Sequence, residues 1–477
     1  MTTSTTRRRG LSLAVLLTMQ LMVILDGTIV TVALPTIQDD LGFSPTGLAW
    51  VVNSYLIAFA GLLLLSGRLG DLLGGKRVFL AGLVTFTGAS VLAGLAVNPA
   101  MLIVGRFAQG VGGAMASAVI LSMVVGLYPK PGEQAKAMGV YSFVSAGGGA
   151  IGLIAGGVIT QTLGWQGAFL VNLPIGLVAL PLAVRLLNGE RGNGFGKGVD
   201  LLGAVLVTAG LSLGVFAIVQ VAEPQTGTGQ VLGYGAASLV LLAGFVVRQA
   251  HAATPLLPLR ILRNRITAVA NLVVVLVFAA GFGFQFFNAL YLQRVLGFDS
   301  LQTGMAFLPA PVVLGAVSLF LSGRLTDRFG ARRVLMSGLA LLGAGLGLLS
   351  RTPVDGNYFV DVLPALVPMG FGMGLAVPAA IMTAMSAADP ADAGLASGLN
   401  NTAQQAGAAV GLAALATVAA AATAAGDETV AALRAGYSLA LLVSAGFVAT
   451  GLVISYFGLR RKTPSVTTET SELVAAS

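Results

Sequence analysis

The chain has 477 residues, of which 56% are hydrophobic and only 9% are charged, and its formal net charge is +8. A soluble protein of this size is excluded, because its surface would need many more charged residues. The absence of cysteine and the single histidine, His251, exclude disulfides, cysteine nucleophiles and a metal site built from thiolates or several histidines.

Apolar runs of about 20 residues recur along the chain, and each is long enough to cross a bilayer as a helix. The sequence therefore predicts an all-α membrane protein with fourteen transmembrane helices. They lie near residues 11–35, 48–66, 78–97, 101–127, 137–160, 167–187, 200–222, 230–250, 266–292, 301–323, 332–350, 359–386, 393–421 and 437–458. The first run lacks a cleavage site and is predicted to remain as a helix.

Lysine and arginine alternate between the loops. Of the 26 bases, 22 fall in the N-terminal segment, the C-terminal tail and every second loop with its adjoining helix ends, and three fall in the other loops. Only Arg106 lies inside a predicted helix away from these loops. Cytoplasmic loops of membrane proteins carry an excess of positive charge. We therefore expect both termini in the cytoplasm. The composition also suggests a bacterial plasma membrane, and the positive charge implies no nucleic-acid partner.

A short basic loop occurs twice, as GRLGDLLGGKR at 67–77 and GRLTDRFGARR at 323–333, 256 residues apart. This repeat between apolar runs predicts two duplicated halves. Eight predicted helices separate the copies, so two helices are inserted between two six-helix bundles. The predicted domains are an N-terminal bundle at 1–187, a linker with the inserted helices at 188–265, a C-terminal bundle at 266–458 and a disordered cytoplasmic tail at 459–477.

The repeated loop has two interpretations. Its glycines, Gly67 among them, permit a tight turn, and Asp71 and Asp327 can cap the following helix or pair with bases such as Arg77 and Arg333. Breaking such pairs when the cytoplasmic side opens or closes would make the loop a two-state latch. The alternative is a topology signal alone, although orientation needs only the bases.

Two charged residues lie more than one turn from either end of a predicted helix, Asp26 in the first and Arg106 in the fourth. Charged groups within a bilayer are costly, and their presence points to function. A carboxylate balanced between desolvation and a neighbouring arginine can alternate between binding and releasing a proton. We therefore predict a proton-coupling role for the two residues. The alternative is a structural ion pair that only locks the two helices together.

Glycines three to four residues apart, Gly148, Gly152 and Gly156, line one face of the fifth predicted helix. They favour either a tight, bendable contact between the two halves or plain close packing.

Polar and aromatic side chains at membrane depth are candidates for a substrate cavity. These candidates are Asn53, Tyr55, Phe284, Phe287, Asn288, Asn401 and Gln405. Any single phenylalanine among them can equally face lipid.

The sequence contains no GxxxxGK(S/T) motif, no segment long enough for a soluble ATPase domain and no convincing hydrolase constellation. We therefore expect neither an enzyme nor a cofactor. Transport would use an ion gradient or be passive.

Several segments resemble the fourteen-helix drug:proton antiporter-2 family of the major facilitator superfamily. Besides the two loops they are LDGTIVTVALP (25–35), WVVNSY (50–55), RFAQG (106–110), WQGAFLVNLPIG (165–176) and GLASGLNN (394–401), which together span nearly the whole chain. The resemblance implies alternating access between two bundles, with proton influx driving the export of hydrophobic small molecules such as drugs, antibiotics or secondary metabolites.

The same resemblance implies roles for individual residues. Asp26 would be the protonatable group and Arg106 its modulator, while the glycines of the fifth helix would be the antiporter motif. Gln109, which follows Arg106 in the motif linked to proton transfer, is a further candidate for substrate binding. The expected partners are protons, a hydrophobic small molecule and the lipid bilayer. A monomer is expected, with the proton gradient as the energy source and no cofactor.

Two departures from the family pattern keep alternatives open. Leu153 stands where the antiporter motif usually has proline, and Gln404-Gln405 replaces an Arg-Gln pair. With Asp26 as the only predicted intramembrane acid, neutral or monovalent cargo is favoured over multivalent cations. The alternatives are a lipid or lipid-conjugate transporter, or a uniporter, of the same fold. A membrane sensor or scaffold is disfavoured, because the sequence has no sizeable soluble domain.

Overall fold

The computed structural model describes residues 2–128, 131–187, 189, 200–222, 226–257, 259–386, 393–424 and 429–459. Within these residues the chain forms helices and no strands. Most of the predicted linker, at 188 and 190–199, and the predicted tail beyond residue 459 lie outside the described residues. The domain boundaries proposed above stay a prediction.

The helices divide into a first half, an inserted pair and a second half. The first half contains α1 (Thr2–Leu41), α2 (Ala49–Leu73), α3 (Gly75–Gly94), α4 (Pro99–Leu127), α5 (Pro131–Leu170) and α6 (Asn172–Leu186). The inserted pair is α7 (Leu201–Gln220) and α8 (Thr228–His251). The short α9 (Arg260–Arg263) precedes the second half, which contains α10 (Arg265–Leu290), α11 (Ser300–Phe307), α12 (Pro309–Val317), α13 (Gly323–Phe329), α14 (Ala331–Leu349), α15 (Leu363–Ser386), α16 (Ala393–Ala424) and α17 (Val430–Gly458). Short π-helical turns at Tyr291–Val295, Ser318–Ser322 and Tyr358–Val362 adjoin α10, α12 and α15.

Thirteen helices in the described part of the chain are long and apolar enough to cross a membrane. One of them, Gly147–Leu186, has 40 residues, which is about 60 Å of helix and twice the hydrocarbon thickness of roughly 30 Å. It turns at Gly164, whose φ is +73°, a conformation that favours glycine. Two crossings in this segment are consistent with fourteen, and the predicted all-α membrane fold is confirmed.

The repeated loop has the same backbone shape in both copies. Gly74 and Gly330, 256 residues apart in the sequence, have φ values of 92° and 83° and end α2 and α13. Side chains rarely adopt this left-handed φ, so both turns favour glycine. Gly67 lies within α2 instead. The prediction that Asp71 and Asp327 cap the following helices is wrong, because the N-cap residues are these two turn glycines.

Helix packing repeats between the halves as well. Gly82 of α3 lies against Gly112 of α4, and Gly338 of α14 lies against Gly372 of α15. A Cβ added at Gly82 or Gly338 would lie 2.8 Å from the carbonyl oxygen of the partner glycine. Both helix pairs therefore approach until backbone meets backbone, which only glycine allows. The duplication inferred from the loops thus extends to the interior of each half.

The inserted helices pack on the outside of both halves. α7 lies against α2, where Gly61 faces Thr208. It also lies against α16, where Thr417 Oγ1 donates to the Ile218 carbonyl at 2.9 Å. α8 packs mainly against α7 and leaves apolar side chains such as Val240 exposed. In a bilayer this exposed face of α8 would contact lipid.

A buried acid joins the two inserted helices at one end. Asp200 caps α7 by accepting from the Gly203 amide at 2.9 Å, and it also accepts from Arg248 Nε at 3.0 Å and Gln249 Nε2 at 2.7 Å. Gln249 Oε1 in turn accepts from the Leu257 amide at 3.0 Å. Desolvation raises the pKa of Asp200, but these hydrogen bonds and the charge of Arg248 outweigh it and lower the pKa below its usual 3.8.

Replacing Asp200 by asparagine should destabilise this junction. A lowered pKa stabilises the folded state at pH values above the ordinary value of 3.8, and that stabilisation is lost as the pH falls through the folded-state value. We expect Asp200→Asn to lower the free energy of unfolding by about 1–3 kcal/mol at neutral pH. Thermal unfolding of the purified protein, followed against pH, should also show a flatter acid limb.

The matched control is Asp71→Asn. The Asp71 side chain is 65% exposed, so this change should alter neither the free energy of unfolding nor the acid limb. An Asp200→Asn protein that keeps both the stability and the acid limb of the unchanged protein would show that the junction contributes nothing.

Candidate functional site

Asp26 and Arg106 form an ion pair in the interior of the first half. Their side chains are 0% and 1% exposed. Arg106 Nη1 donates to Asp26 Oδ2, and Gln109 Nε2 donates to the other carboxylate oxygen at 2.9 Å. The structure thus brings together the two ionisable residues singled out in the sequence. It adds Gln109 as a second donor to the carboxylate.

Neighbouring helices fix the orientation of both partners. Arg106 Nε donates to the Val51 carbonyl of α2 at 2.8 Å, and Gln109 Nε2 also donates to Ser90 Oγ of α3 at 2.8 Å. Arg106 and Gln109 are three residues apart and share one face of α4, where Arg106 Nη1 donates to Gln109 Oε1 at 3.0 Å. The guanidinium lies 4.6 Å from the centre of the Tyr55 ring, within the range of a cation–π contact. Helices α1 to α4 therefore all meet at this ion pair.

The two charges of the ion pair depend on each other. Two donors point at the Asp26 carboxylate, and removing one charge of a buried pair leaves the other unbalanced at a cost of about 3–5 kcal/mol. The proton-coupling role of the two residues stays a prediction. Among the described residues no group of three acids or histidines could hold a metal.

A cavity of about 1450 Å³ lies between the two halves and reaches the ion pair. Arg106 lines this cavity, whereas the buried Asp26 does not. The loop residues Arg68, Asp71 and Lys76 border its open end, which we call the loop end. The uncharged polar side chains on its walls include Gln20, Tyr55, Ser117, Gln285, Asn401, Gln404 and Gln405.

The predicted substrate-binding residues fall into three groups. Tyr55, Asn401 and Gln405 line the cavity. Gln109 belongs to the hydrogen bonds of the ion pair. The others lie outside the cavity lining, namely Asn53, Phe284, Phe287 and Asn288. A role in substrate binding stays a prediction for all of them.

Gln20 and Ser117 line the cavity but were not singled out in the sequence. Gln20 lies four residues before Ile24 and seven before Gly27, and all three line the cavity from one face of α1. A lone amide within the first apolar run was the available signal. Ser117 carried no comparable signal, since serine is common on tightly packed membrane helices.

The repeated loop lies at the loop end with its charges apart. Asp71 approaches Arg68 of the same helix at 3.9 Å, and Arg77, Asp327 and Arg333 are exposed. Within the described part of the chain these residues form no ion pair between the halves. The latch role of the loop stays a prediction.

The opposite end of the cavity, which we call the closed end, is sealed by contacts between the halves. Arg294 of the second half pairs with Asp39 of the first and donates to the Pro35 carbonyl at 3.2 Å. Gln293 Nε2 donates to the Val32 carbonyl at 2.9 Å. The cavity is therefore accessible from the loop end alone in this arrangement of the described residues.

The glycines of α5 have two different partners. Gly148, Gly152 and Gly156 face α1 of their own half, and a Cβ at Gly156 would lie 2.9 Å from the α1 backbone. Of the two interpretations of these glycines, close packing within one half describes them here. Their gating role stays a prediction. One residue further on, a Cβ at Gly157 would lie 2.7 Å from the Cα of Leu301 in α11. Gly157 thus makes the contact between the halves.

Comparisons with known proteins agree on one family. The sequence profile of the Major Facilitator Superfamily matches residues 16–412. The puromycin resistance protein pur8 of Streptomyces alboniger is 39% identical over 422 residues, covering 88% of this chain and 83% of that protein. The cephamycin export protein CmcT of Amycolatopsis lactamdurans is 40% identical over 418 residues, covering 87% and 86%. The tetracenomycin C resistance and export protein of Streptomyces glaucescens is 33% identical over 397 residues, covering 83% and 73%.

Solved structures share the fold at low sequence identity. A bacterial homologue of the human lysosomal transporter Spinster, crystallised in an inward-facing and unoccupied conformation, has a TM-score of 0.67 and 17% identity and covers 96% of this chain and 99% of that one. The nucleoside transporter NupG has a TM-score of 0.65 and 11% identity, covering 94% and 100%. At these identities the likeness concerns the fold.

Gly157→Ala should loosen the closed end, because the added methyl would lie 2.7 Å from the Leu301 backbone and force α5 and α11 apart. Gly149→Ala on the same helix meets no atom within 4 Å and is the matched control. The chain has no cysteine, so spin labels can be attached at Val97→Cys and Val354→Cys, which are 79% and 39% exposed at the closed end. Double electron–electron resonance should show a longer distance between the two labels in Gly157→Ala than in Gly149→Ala. Identical distance distributions for both alanine variants would contradict this assignment.

Proposed function

The chain belongs to the major facilitator superfamily, and we propose that it exports hydrophobic small molecules across the bacterial plasma membrane in exchange for protons. It is a multi-pass membrane protein, and its family and relatives are transporters rather than enzymes. The names of its relatives refer to resistance to puromycin and to export of cephamycin and tetracenomycin C. They support an antibiotic or secondary metabolite as the cargo.

One observation carries the proposal: a buried ion pair lies beside a large cavity that is open at one end and sealed at the other. Exchange transport needs a group that changes charge and a cavity whose opening changes with it. Asp26 supplies the charge change, and Arg106, which both pairs with Asp26 and lines the cavity, links that change to the cargo. Cargo and proton would then favour different arrangements of the two halves.

The orientation of the cavity follows from the loops. The basic loop at 67–77 borders the open end of the cavity, and basic loops favour the cytoplasm. The structure is then the inward-facing state, with both termini cytoplasmic, and cargo enters from the cytoplasm. Export requires the Arg294–Asp39 contact at the closed end to break and the charges of the repeated loop to come together at the other end.

The energy source and assembly are part of the same proposal. The proton gradient drives export without a cofactor, and the two halves within one chain provide a complete cavity, so a monomer in the lipid bilayer suffices. Nucleic acid has no part in this mechanism, because the positive charge serves membrane orientation.

Asp26→Asn should abolish proton-coupled transport. Asparagine keeps the size of the side chain but cannot gain or lose the proton, so uptake into inverted proteoliposomes under a pH gradient should fall at least about tenfold. A pH-sensitive dye and radiolabelled puromycin, tetracenomycin C and chloramphenicol would report proton flux and cargo flux together. Binding of cargo without a gradient should persist.

Asp299→Asn is the matched control, because Asp299 is an exposed helix cap away from the cavity, and it should transport normally. If Asp26→Asn couples as well as the unchanged protein, the coupling residue is elsewhere. If cargo moves at the same rate with and without a pH gradient, the protein is a uniporter of the same fold.

A further inference from the structure

Three polar side chains on the first-half wall of the cavity are left without partners. Gln20 Oε1, Tyr55 OH and Ser117 Oγ are buried atoms with no hydrogen-bond partner among the described residues, and all three residues line the cavity. A buried polar atom left unpaired costs about 1–3 kcal/mol. Unpaired groups that face a cavity are positions where a bound molecule can supply the missing hydrogen bonds.

Two of the groups lie at the same depth in the membrane. Asp26 and Arg106 are in contact and so define one level. Gln20 precedes Asp26 by six residues, about 9 Å along α1 towards the loop end. Gly113 follows Arg106 by seven residues, about 10 Å along α4 in the same direction. A Cβ at Gly113 would lie 3.1 Å from the Tyr55 hydroxyl, which places that hydroxyl level with Gln20.

Ser117 completes the group one helical turn nearer the loop end, four residues after Gly113 on the same face of α4. The three groups thus form a band on one wall, on the loop-end side of the ion pair. The Tyr55 hydroxyl is the nearest of them to the pair, because the centre of its ring lies 4.6 Å from the Arg106 guanidinium. Gln20 offers an acceptor, and Tyr55 and Ser117 each offer a hydroxyl that can donate or accept. A molecule that satisfies all three must carry both donors and acceptors.

The charges around the cavity disfavour a cation. Three bases, Arg68, Lys76 and Arg106, line it, and the acid that lines it, Asp71, lies 3.9 Å from Arg68 at the open end. Asp26 is fully buried and already holds Arg106. The facing wall of the second half offers neutral amides, namely Gln285, Asn401, Gln404 and Gln405. A cationic molecule at the level of the band would meet Arg106 with no free carboxylate among the described residues to balance it.

We infer that Gln20, Tyr55 and Ser117 form a subsite that binds the hydroxyl, amide or carbonyl groups of an uncharged aromatic cargo. This inference rests on the export function proposed above and names its substrate class. Tyr55 also connects the subsite to the ion pair, because its ring lies 4.6 Å from the Arg106 guanidinium while its hydroxyl faces the subsite. A ligand bound to that hydroxyl therefore acts on the residue that holds Asp26.

The test is equilibrium binding to the purified full-length protein in lipid nanodiscs without a pH gradient. The probes are chloramphenicol, a neutral aromatic amide with two hydroxyls, and tetraphenylphosphonium, an apolar cation without hydrogen-bonding groups. Chloramphenicol should bind and tetraphenylphosphonium should not. Tyr55→Phe, Gln20→Leu and Ser117→Ala should each weaken chloramphenicol binding by about three- to tenfold, as expected for one lost hydrogen bond. Tyr55→Phe keeps the ring beneath Arg106.

Thr160→Val is the matched control, because the Thr160 hydroxyl is also buried and unpaired among the described residues but does not line the cavity. It should bind chloramphenicol like the unchanged protein. Each variant is first checked by its unfolding temperature, and any one of the three that folds suffices for the comparison.

Three results would overturn the inference: no chloramphenicol binding, equal affinity for tetraphenylphosphonium, or folded variants that bind within twofold of the unchanged protein. Failure of the export proposal looks different. In that case the binding pattern would appear as expected, while proteoliposomes would show no flux of cargo driven by a pH gradient.

Discussion

The burial of one carboxylate and one guanidinium in a membrane interior constrains the rest of this structure. Neither Asp26 nor Arg106 has access to lipid headgroups, so each must be paired within the helix bundle. The pairing draws in a carbonyl of α2 through Arg106 and a hydroxyl of α3 through Gln109. Four helices are therefore joined by polar contacts that centre on one ion pair. This arrangement places Arg106 at the wall of the cavity.

The duplicated architecture supplies the moving parts around this fixed centre. Each half packs its own helices through glycines that bring backbones into contact, as at Gly82 and Gly338, and such contacts make each half rigid. Between the halves, the polar contacts of Arg294 and the close approach of Gly157 to Leu301 lie at the closed end, while a cavity separates the halves towards the loop end. Rigid halves that meet at one end and part at the other can rock against each other, as alternating access requires.

Much of the architecture was predictable from the sequence because a bilayer restricts helix length, loop charge and the number of buried ions. The rotation of each helix about its axis was not, since lipid-facing and protein-facing positions are both apolar and no polar face marks the inside. For this reason Phe287 lies outside the cavity lining and the α5 glycines face α1. The burial of Asp200 was hidden too, because its partners on α8 lie 48 and 49 residues away in the chain.

The position of α7 has a consequence for the route by which cargo reaches the cavity. Two seams separate the halves, one between α2 and α16 and the other beside α5, α11 and α12. Because α7 lies across the first seam and bonds to α16 there, it screens that seam from the acyl chains. A lipophilic compound dissolved in the leaflet therefore meets two unequal sides of one pseudosymmetric protein. The inserted pair thus covers one of the two seams of the pseudosymmetric protein.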